Sequence, residues 1–127
     1  NSGLGTLKYD SYERSYSISG EGKPIIEGSS DPSFRGDVTK YNPEELFLAA
    51  ISSCHMLWYL HLCSVNNVKV VHYSDKPKGI LFPSVLVEKK EMLNIAMRLH
   101  SKSNEMCFIA NSCNFDIQHQ PNVQLSF

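Results

Sequence analysis

Two cysteines stand where a thiol could do chemistry. Cys54 lies at the centre of the apolar run YNPEELFLAAISSCHMLWYLHLC, residues 41–63, and Cys107 lies in NEMCFIANS, residues 104–112. A thiol attacks a peroxide oxygen, a disulfide or an acyl carbon only as thiolate. Burial in an apolar helix opposes ionisation, so a reactive Cys54 requires a nearby cation. The basic residues shortly before the run are Arg35 and Lys40. The bland alternative is an inert core thiol, since free cysteine is among the most buried residue types. Cys63 and Cys113 are read that way. Cys63 is nine positions from Cys54, too far for a disulfide within one helix.

The remaining donors do not form a metal pattern. His55, His61, His72, His100 and His119 lack H-x-x-x-H spacing, and no cysteine pair has C-x-x-C spacing. No metal or cofactor is expected, and a disulfide framework is not supported. His55 points about 100° away from Cys54 around a helix, which makes it a structural or pocket-wall residue rather than a base. Trp58, Tyr59 and Met56 read as core.

The elements that must hold the thiols are legible in the pattern of residues around them. LGTLKYD and YERSYSIS read as two strands of a hairpin, followed by a turn and a short strand in GEGKPIIEG. SSDPSFRGDVTKY is polar and punctuated by Pro and Gly, hence a loop. A long helix starts with Asn42 as N-cap, Pro43 at the first position and Glu44 and Glu45 in the first turn, and ends near Val65 before Asn66 and Asn67. VKVVHYSD and ILFPSVLVE follow as strands, with Pro83 suggesting an edge or a bulge. A helix is expected from Lys89 to about His100, with Met92, Leu93, Ile95, Ala96, Met97 and Leu99 as its apolar face. A short helix capped by Ser103 would then carry Cys107 in its first turn. Phe115/Ile117 and Val123/Leu125/Phe127 alternate as strands do. The order predicts one α+β domain spanning residues 1–127.

Bulk properties narrow the function. The 127 residues suffice for one core, and a net charge of −1 gives no electrostatic case for nucleic acid or an anionic membrane as partner. Leu46 to Leu62 spans 17 residues, short for a bilayer, and includes two serines and two histidines, so it reads as a buried helix rather than a membrane span. The first residues lack the pattern of a secretory leader, and a cytoplasmic protein with reduced thiols is the expectation.

NPEELFLAAISSCH and, further on, NEMCFIANS together resemble the two cysteine segments of the OsmC/Ohr family, and the order of elements is similar over nearly the whole chain. The resemblance implies antiparallel sheets around long central helices in an intertwined homodimer, which reduces organic hydroperoxides, and related peroxides, with a cysteine pair and an external dithiol reductant. It implies Cys54 as the peroxide-attacking cysteine, Cys107 as the resolving one, Glu44 as the family's glutamate and Arg35 as its arginine. A guanidinium stays protonated and can grip both thiolate and peroxide oxygen, and Glu44 would orient it. Phe108 follows Cys107 where family members often carry Pro. KPKGILFPSVLVE is shorter than the hairpin usual there, as though residues were missing near 78–81. Two other readings stay open: a non-catalytic dimeric module binding a small apolar or thiol ligand, and a cysteine hydrolase with a histidine base.

Geometry adds an argument of its own. Glu44 and Cys54 are ten residues apart, roughly 15 Å along one helix and about 80° around it. They cannot share one site within a continuous helix. Two such helices packed antiparallel would bring the start of one to the middle of the other, which predicts a homodimer with shared sites.

Overall fold

The computed structural model describes residues 5–78 and 83–126. The expected anomaly around residues 78–81 falls largely outside them. The chain forms two compact units, Asn1–Phe47 and Leu48–Phe127.

In the first unit, β1 (Tyr16–Ile18) pairs antiparallel with β2 (Ile26–Gly28), and Tyr16 faces Gly28. A Cβ at residue 28 would lie 2.3 Å from the Tyr16 ring, so this aromatic cross-strand packing requires glycine. The strand expected at LGTLKYD does not form. The Ser11 amide bonds the Lys8 carbonyl and its hydroxyl bonds the carbonyls of Gly5 and Lys8, curling the segment into a turn. Arg14 then stacks on the rings of Tyr9 and Tyr12, drawing both out of strand alternation. The loop after β2 is tied down as well: Ser29 and Tyr41 bond through the backbone, and the Asp37 amide donates to the Ser29 hydroxyl.

Helix α1 runs Pro43–Val65. Its start is a reciprocal cap: the Glu45 amide donates to Asn42 Oδ1 at 2.8 Å, and the Asn42 amide donates to Glu45 Oε2 at 3.0 Å. It ends where Asn67 turns left-handed at φ 55°.

In the second unit, β3 (Val70–Ser74), β4 (Ser84–Val87) and β5 (Asn122–Leu125) form a sheet in the order β3-β4-β5. β3 and β4 are antiparallel, but β4 and β5 are parallel, so this sheet is mixed rather than wholly antiparallel. β4 is central, not an edge. Pro83 is tolerated because it precedes the strand and contributes only its carbonyl, which accepts from the Asn122 amide. The alternation at Phe115/Ile117 lies outside any strand, and β5 alone forms from the C-terminal pattern.

Helix α2 (Leu93–Met106), entered through a 3-10 turn at Lys90–Met92, is six residues longer than the expected end at His100. Its buried residues are Ala96, Leu99, His100 and Ser103, while Met97 is exposed. Ser103 is no cap: its hydroxyl donates to the Leu99 carbonyl inside the helix. The short α3 (Phe108–Asn111) follows directly. The core joins Tyr59 and Cys63 of α1 to Val68, to Val85 and Val87 of β4, and to Ala96 and Leu99 of α2. The α+β class read from sequence is the class observed.

Candidate functional site

Helix α1 presents two faces. Ile51, His55, Tyr59 and Cys63 recur every four residues and are buried. Phe47, Ala50, Cys54, Leu57, Trp58, His61 and Val65 form a second stripe about 120° away, and Cys54 lies near its middle. This stripe is apolar yet largely open: Leu57 is 63% exposed and Val65 60%.

The structure brings Cys54 and Cys107 together. Their thiols are hydrogen-bonded, although the residues are 53 positions apart in sequence. Cys107 is the link between α2 and α3, and acts as N-cap of α3 rather than occupying its first turn. Its sulfur accepts from the Ala110 amide at 3.4 Å. Burial pushes the Cys107 thiol up to about 11, and the bond to Cys54 acts in the same direction, against the Ala110 and Ile109 amides. The amides at the start of α3, which favour thiolate, are therefore outweighed. Burial and the neighbouring Cys54 thiol both favour the protonated form of Cys107.

A cleft of about 420 Å³ opens beside Cys54, lined by Ala50, Ser53, Leu57, Trp58, Phe108 and Ile109. Trp58 and Phe108 meet edge-on across it, with ring centres 6.0 Å apart. Phe108 itself is 73% exposed. The walls suit an alkyl or aryl group and offer little to a strongly hydrated ligand.

Cys63 is buried, and burial raises its thiol, with the Tyr59 hydroxyl partly opposing. It is an inert packing residue. Cys113 is half-buried and donates to the Ile109 carbonyl at 3.3 Å.

Arg35 and Glu44 belong to the first unit. Arg35 closes a 3-10 turn, Pro32–Phe34, in the left-handed region at φ 66°. The loop imposes that geometry: the Arg35 amide bonds the Pro32 carbonyl, the Gly36 amide bonds the Asp31 carbonyl, and Asp31 Oδ1 caps the Ser33 amide at 2.8 Å. A Cβ at residue 36 would lie 1.5 Å from the Ser30 carbonyl oxygen, so the chain passes itself too closely there for any residue but glycine. The Arg35 guanidinium is exposed, and among the described residues it has no ion pair. Glu44 is exposed too, whereas Glu45 makes the helix cap. The structure thus assembles the two cysteines and leaves Arg35 and Glu44 at the surface.

Sequence reading missed a second cluster. His55 Nε2 and His100 Nδ1 are 3.0 Å apart in the interior, with the rings 8° from coplanar. His119 lies 5.3 Å from His55 and 6.5 Å from His100, centre to centre. Tyr59 stacks on His100 at 3.8 Å. Burial, then neighbouring histidines, pushes His55 down to about 4 and His100 down to about 3. Asp75, held by the Ser52 hydroxyl at 2.6 Å, pulls His55 the other way. Among the described residues no group of three donors could hold a metal ion. The signal that could have exposed His55 is the four-residue repeat Ile51-His55-Tyr59-Cys63.

No family sequence model matches the chain, and no curated protein does. Solved structures do. An OsmC-like protein of unknown function from Vibrio cholerae is 26% identical, with 87% of this chain and 85% of that one covered at a TM-score of 0.70. An organic hydroperoxide resistance protein from Elizabethkingia anophelis is 15% identical, with 91% and 96% covered at 0.59. An OsmC-like protein from Mycoplasma pneumoniae is 10% identical, with 92% and 97% covered at 0.56. The order of elements and their superposition over most of each chain agree: the chain is similar to OsmC-like and organic hydroperoxide resistance proteins and shares their α+β fold.

Proposed function

We propose that the protein is a thiol-dependent peroxidase that reduces organic hydroperoxides to alcohols. The observation that carries this reading is the Cys54–Cys107 thiol contact beside an apolar cleft. Cys54 thiolate attacks the outer peroxide oxygen, the O–O bond breaks, and the departing alkoxide takes a proton and leaves as alcohol. Cys54 becomes a sulfenic acid. Cys107, already in contact, displaces hydroxide from that sulfur to form the disulfide, with loss of water. An external dithiol returns both sulfurs to thiols and is itself oxidised to a disulfide.

The other assignments complete the reading. Arg35 stabilises the Cys54 thiolate and the peroxide oxygen, and Glu44 orients Arg35 by a charge-assisted hydrogen bond. Because Glu44 and Cys54 cannot meet on one helix, Arg35 and Glu44 serve the thiol of a second copy. A homodimer would cover the open apolar stripe of α1, and α1 is a core helix of that assembly rather than a membrane span, although its length and composition alone would allow one. The two units together form a single OsmC-like domain, as the coverage of the solved structures supports. The setting is cytoplasmic, where thiols are kept reduced. Nucleic acid is not a partner.

The test is anaerobic reduction, one equivalent of a small organic hydroperoxide, then intact-mass analysis with thiol mapping. The expected product links Cys54 to Cys107, with Cys63 and Cys113 still alkylatable after denaturation. A Cys107–Cys113 bridge, or no reaction, would overturn the assignment.

A further inference from the structure

The buried histidines lie on the same two segments as the thiols. His55 directly follows Cys54 on α1. His100 precedes Cys107 by seven residues, about two helical turns, so Cys107, which closes α2, follows on the side of the helix that carries His100. Neighbouring residues of α1 therefore meet two points on one face of α2: thiol to thiol at Cys107, and ring to ring at His100. Between them Ser103 spends its hydroxyl within α2, on the Leu99 carbonyl. Around the histidines, Tyr59 and Cys63 pack against Ala96 and Leu99 without directional bonds. The imidazole bond is thus the oriented polar link in a contact otherwise made of apolar surface.

That link is costly to bury, which argues that it has a use. In a neutral pair one imidazole donates and the other accepts. The outer nitrogens, His55 Nδ1 and His100 Nε2, are buried and have no hydrogen-bond partner among the described residues. Two apolar side chains of similar size would avoid that desolvation, so stability alone does not account for the pair. What a bond between two rings supplies, and two leucines would not, is a fixed distance and a fixed rotation of α1 against α2. Those quantities decide whether the Cys107 sulfur reaches Cys54.

We propose that His55 and His100 are positioning residues for the thiol pair: their hydrogen bond locks α1 to α2 and holds Cys107 within reach of Cys54. Neither histidine touches peroxide. They act on the step that joins the sulfurs, not on the attack that precedes it. The proposal rests on the reading of Cys54 and Cys107 as a disulfide-forming pair, and extends it by separating the groups that react from the groups that set their distance.

The experiment follows the two steps separately in the full chain. Reduced protein is mixed with one equivalent of tert-butyl hydroperoxide, quenched at intervals with dimedone and iodoacetamide, and weighed intact. Loss of free Cys54 gives the attack rate, and appearance of the disulfide mass gives the joining rate. His100→Phe keeps a ring on Tyr59 but cannot bond His55, and His100→Gln restores a donor and an acceptor. Expected is an unchanged attack rate in both variants. The joining rate should fall about tenfold or more in His100→Phe, as a misplacement of about 1 Å produces, and recover partly in His100→Gln. Diamide, which oxidises adjacent thiols without peroxide, supplies an independent arm. If wild type ignores the hydroperoxide but diamide links Cys54 to Cys107 faster than in His100→Phe, positioning stands and the peroxidase reading fails. Equal joining rates in wild type and His100→Phe overturn the positioning role. So does a fall in attack and joining together with no rescue by glutamine. Failure of both variants to fold by circular dichroism also overturns it, since the pair would then be a general determinant of the fold.

Discussion

The two faces of α1 invert the usual arrangement. The face buried within the chain carries His55, Tyr59 and Cys63 alongside a single aliphatic side chain, Ile51. The face left open carries Phe47, Leu57, Trp58 and Val65, with Cys54 near its middle. A chain designed only to fold alone would place these sets the other way round. The buried face instead fixes α1 against α2 by ring contacts, and the open face offers a greasy surround for one thiol. In the homodimer proposed above, a second copy covers this apolar stripe. On the proposed reading, one helix divides its labour: one side sets geometry, the other serves chemistry and assembly.

The sharpest way to break this contrast is on the open face. Cys54→Ser removes the nucleophile and should cut hydroperoxide consumption by on the order of 10³-fold or more, with folding unaffected because Cys54 is only half-buried. Cys107→Ser should spare the first attack but leave Cys54 to over-oxidise, visible as sulfinic acid by mass. If Cys54→Ser consumes peroxide at the wild-type rate, Cys54 is not the nucleophile.

Next comes a paired substitution, one residue from each face. Ile51→Ala should cost about 2–5 kcal/mol in urea unfolding, the usual range for truncating a buried aliphatic side chain. Leu57→Lys should cost the isolated fold little, because Leu57 is already largely exposed, yet should convert a dimer into a monomer by light scattering. Comparable losses of folding stability in both would mean that the open stripe is buried within one chain.

How much of this contrast the sequence carried depends on range. Signals carried by local sequence were legible: the cap at Asn42, the end of α1 before Asn67 and the α+β order. Signals depending on partners far along the chain were not. The 3.6-residue pattern of α2 continues past His100, and only the packing of His100 against Tyr59 and His55 shows that this histidine belongs to the apolar face. Strand propensity in LGTLKYD was overridden by Ser11 bonding the local carbonyls and by Arg14 stacking on two tyrosines. The parallel partner of β4 could not be read either, since a short strand shows its alternation but not its direction. For Arg35 the sequence suggested a role, and the structure adds a left-handed backbone with an exposed guanidinium.

Acid should weaken the buried face in a window set by the histidines. His55 and His100 are pushed down to about 4 and about 3, against 6.5 for an ordinary histidine. Between those values the unfolded chain binds more protons than the folded one, so stability falls as pH falls from about 6.5 towards 4. Each unit of depression is worth about 1.4 kcal/mol, so the loss should be a few kcal/mol by pH 4.5. Urea melts at pH 7.0, 5.5 and 4.5 measure it. His100→Gln should flatten the dependence. A wild-type profile that is flat over this window would show that the histidines are not buried as neutral rings.

A smaller effect is expected at Arg35, and it bears on the open face. Arg35→Ala should slow attack by Cys54 about tenfold, with Arg35→Lys recovering only part, because an ammonium lacks the planar fork. Arg35→Gly carries a second signature. It removes the same charge but relieves the left-handed backbone, so it should unfold at slightly higher urea than Arg35→Ala, by up to about 1 kcal/mol. Attack rates in stopped flow and urea melts separate the two effects. Unchanged attack in all three variants would remove Arg35 from the thiol's surroundings and turn attention to Lys40.

The smallest effect concerns where both faces begin. Asn42 and Glu45 exchange bonds that satisfy two of the helix's first amides, and Pro43 presets the first turn. Asn42→Ala removes the acceptor for the Glu45 amide and should cost about 1 kcal/mol. Glu45→Gln keeps a side-chain oxygen for the Asn42 amide but loses the charge that favours a helix start, so it should cost only a few tenths. Glu44→Gln touches neither bond. Its stability change should be as small as that of Glu45→Gln, while its attack rate should drop if Glu44 orients Arg35. Measured together, the three variants separate capping from catalysis at adjacent positions. Should Glu44→Gln and Glu45→Gln have the same effect on both stability and attack, the two glutamates share one role at the helix start, and the catalytic reading of Glu44 fails.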